Sequence, residues 1–194
     1  MFNIFGFYKF KKLNNLKKLK NRLENNLKDY EIRGTIIISS EGVNGTISDK
    51  KNNLSKFNKL LKKILAIKKF NSENNSNSKF NPFHKLKIKI KKEVVPMGFK
   101  VRNYNYPKNN LNPREWNKII KKKDTVLIDA RKSFEYDVGT FKKSLNPNIE
   151  NFRQFPKYLN QFKNSENIAM FCTGGIRCEK ANIYLKKKGF KNVY

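Results

Sequence analysis

Cys172-Thr173-Gly174-Gly175-Ile176-Arg177-Cys178 is the stretch on which the reading of this chain turns. Before it, Ile168-Ala169-Met170-Phe171 reads as a short buried strand. After it, Glu179 to Lys188 carries Ala181, Tyr184 and Leu185 at helical spacing and stops at Gly189. A strand thus ends on a cysteine, a Gly-Gly loop follows, and a helix begins. Two glycines permit the backbone angles that turn successive N–H groups inward. Those donors, the positive end of the helix and Arg177 stabilise an anion at the loop centre. A thiol placed there has a lowered pKa and is a nucleophile near neutral pH, so Cys172 is the expected catalytic group. Thr173, Gly174, Gly175 and Ile176 supply backbone donors. Arg177 either holds an anionic group with its fork of donors or forms a structural ion pair with Asp129 or Glu135. Cys178, entering the helix, either resolves an oxidised Cys172 or packs as a small apolar side chain.

Outward from this loop the second half alternates strands with helices. Glu115 to Lys122 is an expected helix with Asn112 as its N-cap and Pro113 at its first position. Thr125 to Asp129 is a strand, Phe152 to Gln161 a helix, and Ile168 to Phe171 the strand that carries the cysteine. Such alternation predicts a parallel sheet with helices on both faces. Ligands then bind at the carboxyl ends of strands, where Asp129 and Cys172 fall. Asp129 and Arg131 are read as structural.

The first half reads strand, helix, strand, strand, helix, strand. Ile4 to Phe10 is the first strand, and Leu13, Leu16, Leu19, Leu23 and Leu27 mark a helix. Thr35 to Ser39 is a β-branched run, Glu41-Gly42-Val43-Asn44-Gly45 a turn, and Thr46-Ile47-Ser48 leads out. Leu54, Phe57, Leu60, Leu61, Ile64 and Leu65 mark a second helix. The polar stretch Asn71 to Asn81 reads as a loop, and Leu86, Ile88 and Ile90 alternate with lysines in the last strand. This order predicts a ferredoxin-like α+β sandwich over residues 1–95. Residues 96–112, rich in Asn, Tyr and Pro, are the expected linker, with residues 113–194 forming the α/β domain.

A chain of 194 residues accommodates two small cores. Two cysteines six positions apart make no disulfide framework and suggest a reducing compartment. A single histidine, His84, lies far from both, so no metal site is expected. The apolar start, Met1 to Tyr8, precedes its basic residues, the reverse of a secretory signal, and no apolar run reaches membrane length. The expected location is cytoplasmic. The formal charge of +29 invites a polyanionic partner. Lysine supplies 37 of the 44 basic residues, however, so a solvated surface shaped by compositional drift explains the charge equally well. Arginine is scarce, and Arg131, Arg153 and Arg177 all fall within motif segments of the second half.

The C-x-x-G-x-R loop resembles the active-site loop of rhodanese-like domains. So does the upstream run Leu127-Ile128-Asp129-Ala130-Arg131, followed by Glu135-Tyr136 and Gly139-Thr140-Phe141. The longer CTGGIRCEKA run from Cys172 to Ala181, with Asn151-Phe152-Arg153, Pro156 and Glu41-Gly42-Val43-Asn44-Gly45-Thr46, resembles the tRNA uridine hydroxylase family across nearly the whole chain. That resemblance implies hydroxylation of the wobble uridine of the anticodon to 5-hydroxyuridine, with molecular oxygen as co-substrate. It also implies a ferredoxin-like domain followed by a rhodanese-like one, and tRNA as partner. No cofactor signature is evident. Glu41, Asn44 and Gly45 are read either as a plain hairpin turn or as an RNA-facing grip on the anticodon loop. Tyr104 and Tyr106 are the expected base-stacking residues. Alternative readings are a persulfide sulfurtransferase and a non-catalytic RNA-binding remnant. In the family a further strand and helix follow the point where Asn192-Val193-Tyr194 stand, so a less stable second domain is expected.

Overall fold

Alternation along β1 (Phe2–Phe10) sends Phe5 and Phe7 to one face, and the helix pattern of α1 (Leu16–Leu27) and α2 (Leu54–Leu65) gives each helix one apolar stripe. These stripes meet the sheet in a core of Leu23, Leu27, Phe57, Leu61, Ile36, Ile38 and Ile47. The remaining strands are β2 (Arg33–Ser39), β3 (Gly42–Asp49), β4 (Ser72–Ser78) and β5 (Leu86–Ile90). The computed structural model describes residues 1–28, 30–50, 53–106 and 110–194, which divide into units of residues 1–94 and 95–194.

In the first unit the sheet order is β4-β1-β3-β2-β5, with β1 and β3 central and antiparallel. The ferredoxin-like expectation holds, but its fourth strand is not the one anticipated. Residues 72–78, read as part of a polar loop, form β4 and pair antiparallel with β1 from Phe2↔Ser78 to Tyr8↔Ser72. Ser and Asn have poor strand preference, but an edge strand needs only its backbone groups paired, and these side chains face solvent. Leu86 to Ile90 instead adds a fifth strand at the opposite edge, parallel to β2.

The Glu41–Gly45 run also differs from its reading as a turn. Only Ser40 and Glu41 turn the chain, while Asn44 and Gly45 lie inside central β3, opposite Ile37 and Ile36 of β2. Gly45 answers a close approach: a Cβ there would lie 2.6 Å from Phe7 Cζ and 3.0 Å from the Thr35 carbonyl oxygen.

In the second unit, β6 (Thr125–Asp129) and β7 (Asn167–Phe171) pair in parallel. Single bridges extend the sheet on both sides, Leu145 to Ile128 and Val193 to Ile168. Tyr194 N–H donates to the Ile168 carbonyl at 2.8 Å, and Met170 N–H donates to that of Tyr194 at 2.9 Å. One face packs Ile128, Ile168 and Met170 on Phe155 and Leu159 of α5 (Phe155–Leu159) and on Ala181 and Leu185 of α6 (Ile176–Lys187). On the other face Phe171, Phe141 and Trp116 stack edge-to-face, Trp116 coming from α3 (Pro113–Ile120). Asn112 caps α3 through Arg114 N–H and Glu115 N–H, both at 3.0 Å, while Glu115 returns the bond to Asn112 N–H. A short helix, α4 (Ser133–Val138), was not anticipated. The expected Phe152–Gln161 helix is a 3-10 turn, Phe152–Gln154, leading into α5.

Where it is described, the segment read as a linker is packed chain. Met97 is 1% exposed within the second core, and Val101 is fully buried. Residues 107–109 of that segment lie outside the described residues. Among the described residues no helix is long and apolar enough to cross a membrane.

Candidate active site

Cys172 leaves the carboxyl end of β7 and stands over the first turn of α6. The helix starts at Ile176, three residues earlier than its apolar spacing indicated, because Gly175 adopts φ +85° and turns the backbone directly into the helix. Arg177 and Cys178 therefore belong to the first helical turn, where free N–H groups point along the axis. Gly175 N–H donates to Cys172 Sγ at 3.1 Å.

The donors converge on sulfur. The Cys178 sulfhydryl is the largest influence holding the Cys172 thiol down. Burial works against it, and the Cys178 N–H, the Arg177 charge and the Arg177 N–H reinforce it. The result is a pKa lowered from 9.0 to about 6. A thiol with that value is about nine-tenths thiolate at pH 7. Cys178 moves the opposite way: bonding to Cys172 and burial push it well above 9.0, so it stays a protonated donor. Both cysteines are half-buried and unbridged.

A second layer fixes the loop. Thr173 Oγ1 donates to Glu135 Oε1 of α4 at 2.8 Å, and Arg177 lies 3.6 Å from Glu135 Oε2 and 3.4 Å from Thr173 Oγ1. Of the two roles open to Arg177, the structure shows an ion pair with Glu135, while its charge still acts on Cys172. Glu135 is itself held below its ordinary value. Burial opposes this, but Thr173, the Lys132 N–H and the charges of Arg177 and Arg131 outweigh it. At the neighbouring strand end, Asp129 is 1% exposed and grips Arg131 twice, at 2.9 and 2.7 Å, and Thr140 at 2.9 Å. Arg131 then reaches the Gly139 carbonyl at 2.6 Å and lies over the Phe171 ring. These bonds tie the end of β6 to residues 139 and 140, the kind of tie expected of Asp129 and Arg131.

The CEKA run has a use that its spacing did not disclose. Lys180 is fully buried and donates to the Val95 carbonyl at 2.9 Å, and the Tyr106 hydroxyl donates to Glu179 Oε1. Two adjacent charges on α6 thus fasten residues 95–106 to the helix. The available signal was a Glu-Lys pair on a helix otherwise tied to the core.

In the first unit Glu41 is fully buried, and its Oε1 accepts from Val94 N–H at 2.9 Å. Asn44 donates to the Val94 carbonyl at 3.2 Å. These residues hold the backbone of Val94. Glu41 presents no surface to RNA, and Gly45 is buried, which corrects the reading of that run as an RNA-facing turn. Among the described residues no three His, Cys, Asp or Glu side chains gather as a metal would require.

The arrangement matches known families over both units. Residues 2–94 match the UPF0176 acylphosphatase-like domain, and residues 112–194 match the rhodanese-like domain. A tRNA uridine(34) hydroxylase of Pelagibacter ubique (strain HTCC1062) is 62% identical over 194 residues, covering 100% of this chain and 64% of the relative. That of Legionella pneumophila (strain Corby) is 40% identical over 195 residues, covering 98% of this chain and 76% of the relative. The chain belongs to the tRNA uridine(34) hydroxylase family. A third relative of that name, from Prochlorococcus marinus (strain MIT 9312), is 44% identical and is likewise covered over 64% of its length. The chain thus spans under two thirds of two of these tRNA uridine(34) hydroxylases.

Proposed function

We propose that this chain acts in the hydroxylation of uridine 34 of tRNA to 5-hydroxyuridine, with Cys172 as the reacting nucleophile. The observation that carries this reading is the thiolate cradle: a half-buried sulfur at the positive end of α6, with a pKa of about 6. A thiolate of this kind adds to C6 of a uracil ring and leaves electron density on C5, the atom that must gain oxygen. The loop N–H groups and Arg177 hold the thiolate until the base arrives. Molecular oxygen is the co-substrate under this reading: one oxygen atom ends on C5, the other leaves as water with two electrons from an external donor, and loss of the C5 proton expels the Cys172 thiolate from C6 as the ring double bond re-forms. An anticodon loop suits the site because its unpaired bases splay into a pocket. The reaction belongs in the cytoplasm, where tRNA is used. The relatives' names favour neither persulfide transfer nor RNA binding without catalysis.

Cys172→Ser tests it. The serine hydroxyl stays protonated at neutral pH, so tRNA from cells relying on the variant should lack 5-hydroxyuridine by nucleoside mass spectrometry. Circular dichroism should show an intact fold. Wild-type levels of the modified nucleoside would refute the assignment of Cys172.

A further inference from the structure

Residues 98–106 run without regular secondary structure along the C-terminal half of α6 and leave an open groove of about 690 Å³. Four cations line it, Lys100, Arg102, Lys186 and Lys187, and no carboxylate is among the lining residues. Phe99 and Tyr106 add aromatic surface to the same lining. Neither ring is loose. Phe99 sits edge-on to Tyr184 at 5.5 Å with the Lys187 ammonium 5.7 Å over its face, and Tyr106 is tied by its hydroxyl to buried Glu179.

Lysines cover this protein, so charge alone selects nothing. What sets the groove apart is the combination of cations with anchored rings, including one of only seven arginines in the chain. Cationic walls that track phosphates, with rings on which bases stack, are the chemistry of single-stranded nucleic acid binding. Position agrees with this. The groove reaches Lys187, eleven residues along α6 from Ile176 beside the Cys172 cradle, or about 16 Å at 1.5 Å per residue. A strand whose target base stood at Cys172 would pass the groove a few nucleotides away.

We propose that this groove is a second RNA-binding site, which takes single-stranded ribonucleotides flanking the reacting base, phosphates on the four cations and a base against Phe99 or Tyr106. The identity of that RNA rests on the tRNA reading above; the existence of the site does not.

The test uses the full chain and a fluorescent short oligouridylate, read by anisotropy across salt. The triple variant Lys100→Glu, Arg102→Glu and Lys187→Glu is set against Lys17→Glu, Lys18→Glu and Arg22→Glu, an equal charge change at exposed positions of α1. The groove variant should flatten the log–log salt slope by about 2, at about 0.7 per lost phosphate contact, and the α1 variant should leave it nearly unchanged. Phe99→Leu should weaken binding about tenfold with an unaltered slope. With tRNA as substrate, the groove variant should raise KM while leaving kcat and the alkylation rate of Cys172 unchanged. Equal weakening by both triple variants, or tripolyphosphate competing as well as the oligonucleotide, would overturn the groove as a site. Absence of 5-hydroxyuridine from tRNA of cells carrying the unaltered protein would overturn the proposed reaction while leaving the oligonucleotide comparison to decide the groove.

Discussion

Replacing Cys178 with alanine removes the sulfhydryl that does most to hold the Cys172 thiolate. Alanine keeps the helix start, and with it the backbone N–H groups and Arg177. A hydrogen bond to a charged group is worth about 1.5–3 kcal/mol, and about 1.4 kcal/mol corresponds to one pH unit. The Cys172 inflection should therefore climb from about 6 to between about 7 and 8. Thiolate at pH 7 would fall from about nine-tenths to between about a half and a tenth. Cys178→Ala leaves Cys172 as the sole thiol, so its iodoacetamide alkylation rate against pH reads the inflection directly. In the unaltered protein, peptide mapping separates the two sulfurs. An inflection that stays near 6 in the variant would refute Cys178 as the principal donor.

Two further outcomes concern the scaffold. Gly45→Ala places a methyl 2.6 Å from the Phe7 ring and should cost the first unit about 1–3 kcal/mol in urea unfolding, with Cys172 alkylation unchanged; unaltered stability would mean that the ring yields freely. Asp129 is buried, which opposes ionisation, yet Arg131 and Thr140 hold it below 3.8. Its contribution is complete above the unfolded value and is lost as pH falls through the lower folded one. Asp129→Asn should therefore cost on the order of 1–3 kcal/mol at neutral pH and flatten the acid limb of a melting-temperature profile below about pH 4. An unchanged acid limb would contradict the pairing.

The Cys172 corner was legible because its signals are local. A cysteine after an apolar run, two glycines and a helix pattern specify a strand end, a turn and a helix start within a few residues. The helix nevertheless begins at Ile176 because φ at Gly175 cannot be read from periodicity, which starts only with the first core-facing side chain. Alternation and helical stripes likewise disclosed β1, α1 and α2. What stayed hidden depends on partners distant in sequence. Ser72 to Ser78 becomes a strand through the free edge of β1, and nothing in an Asn-Ser run announces that edge. Glu41 and Asn44 looked like turn residues because their partner, Val94, lies fifty or more positions away. Lys180 and Glu179 drew no reading of their own for the same reason: each has a partner in residues 95–106.

The two borders of the first sheet face the crowded cell with different defences. Along β5, Lys87 and Lys89 stand exposed, and inserted lysines discourage a second strand from docking. Along β4 the exposed residues are mostly Asn and Ser, which resist neither stacking nor ladder formation. The overall charge of +29 repels copies of this border, over only about 8 Å at physiological ionic strength. The lysine excess then has a colloidal use of its own, independent of any partner. Its failure would be directional: as salt or a polyanion screens the charge, self-association begins at β4 while β5 stays guarded.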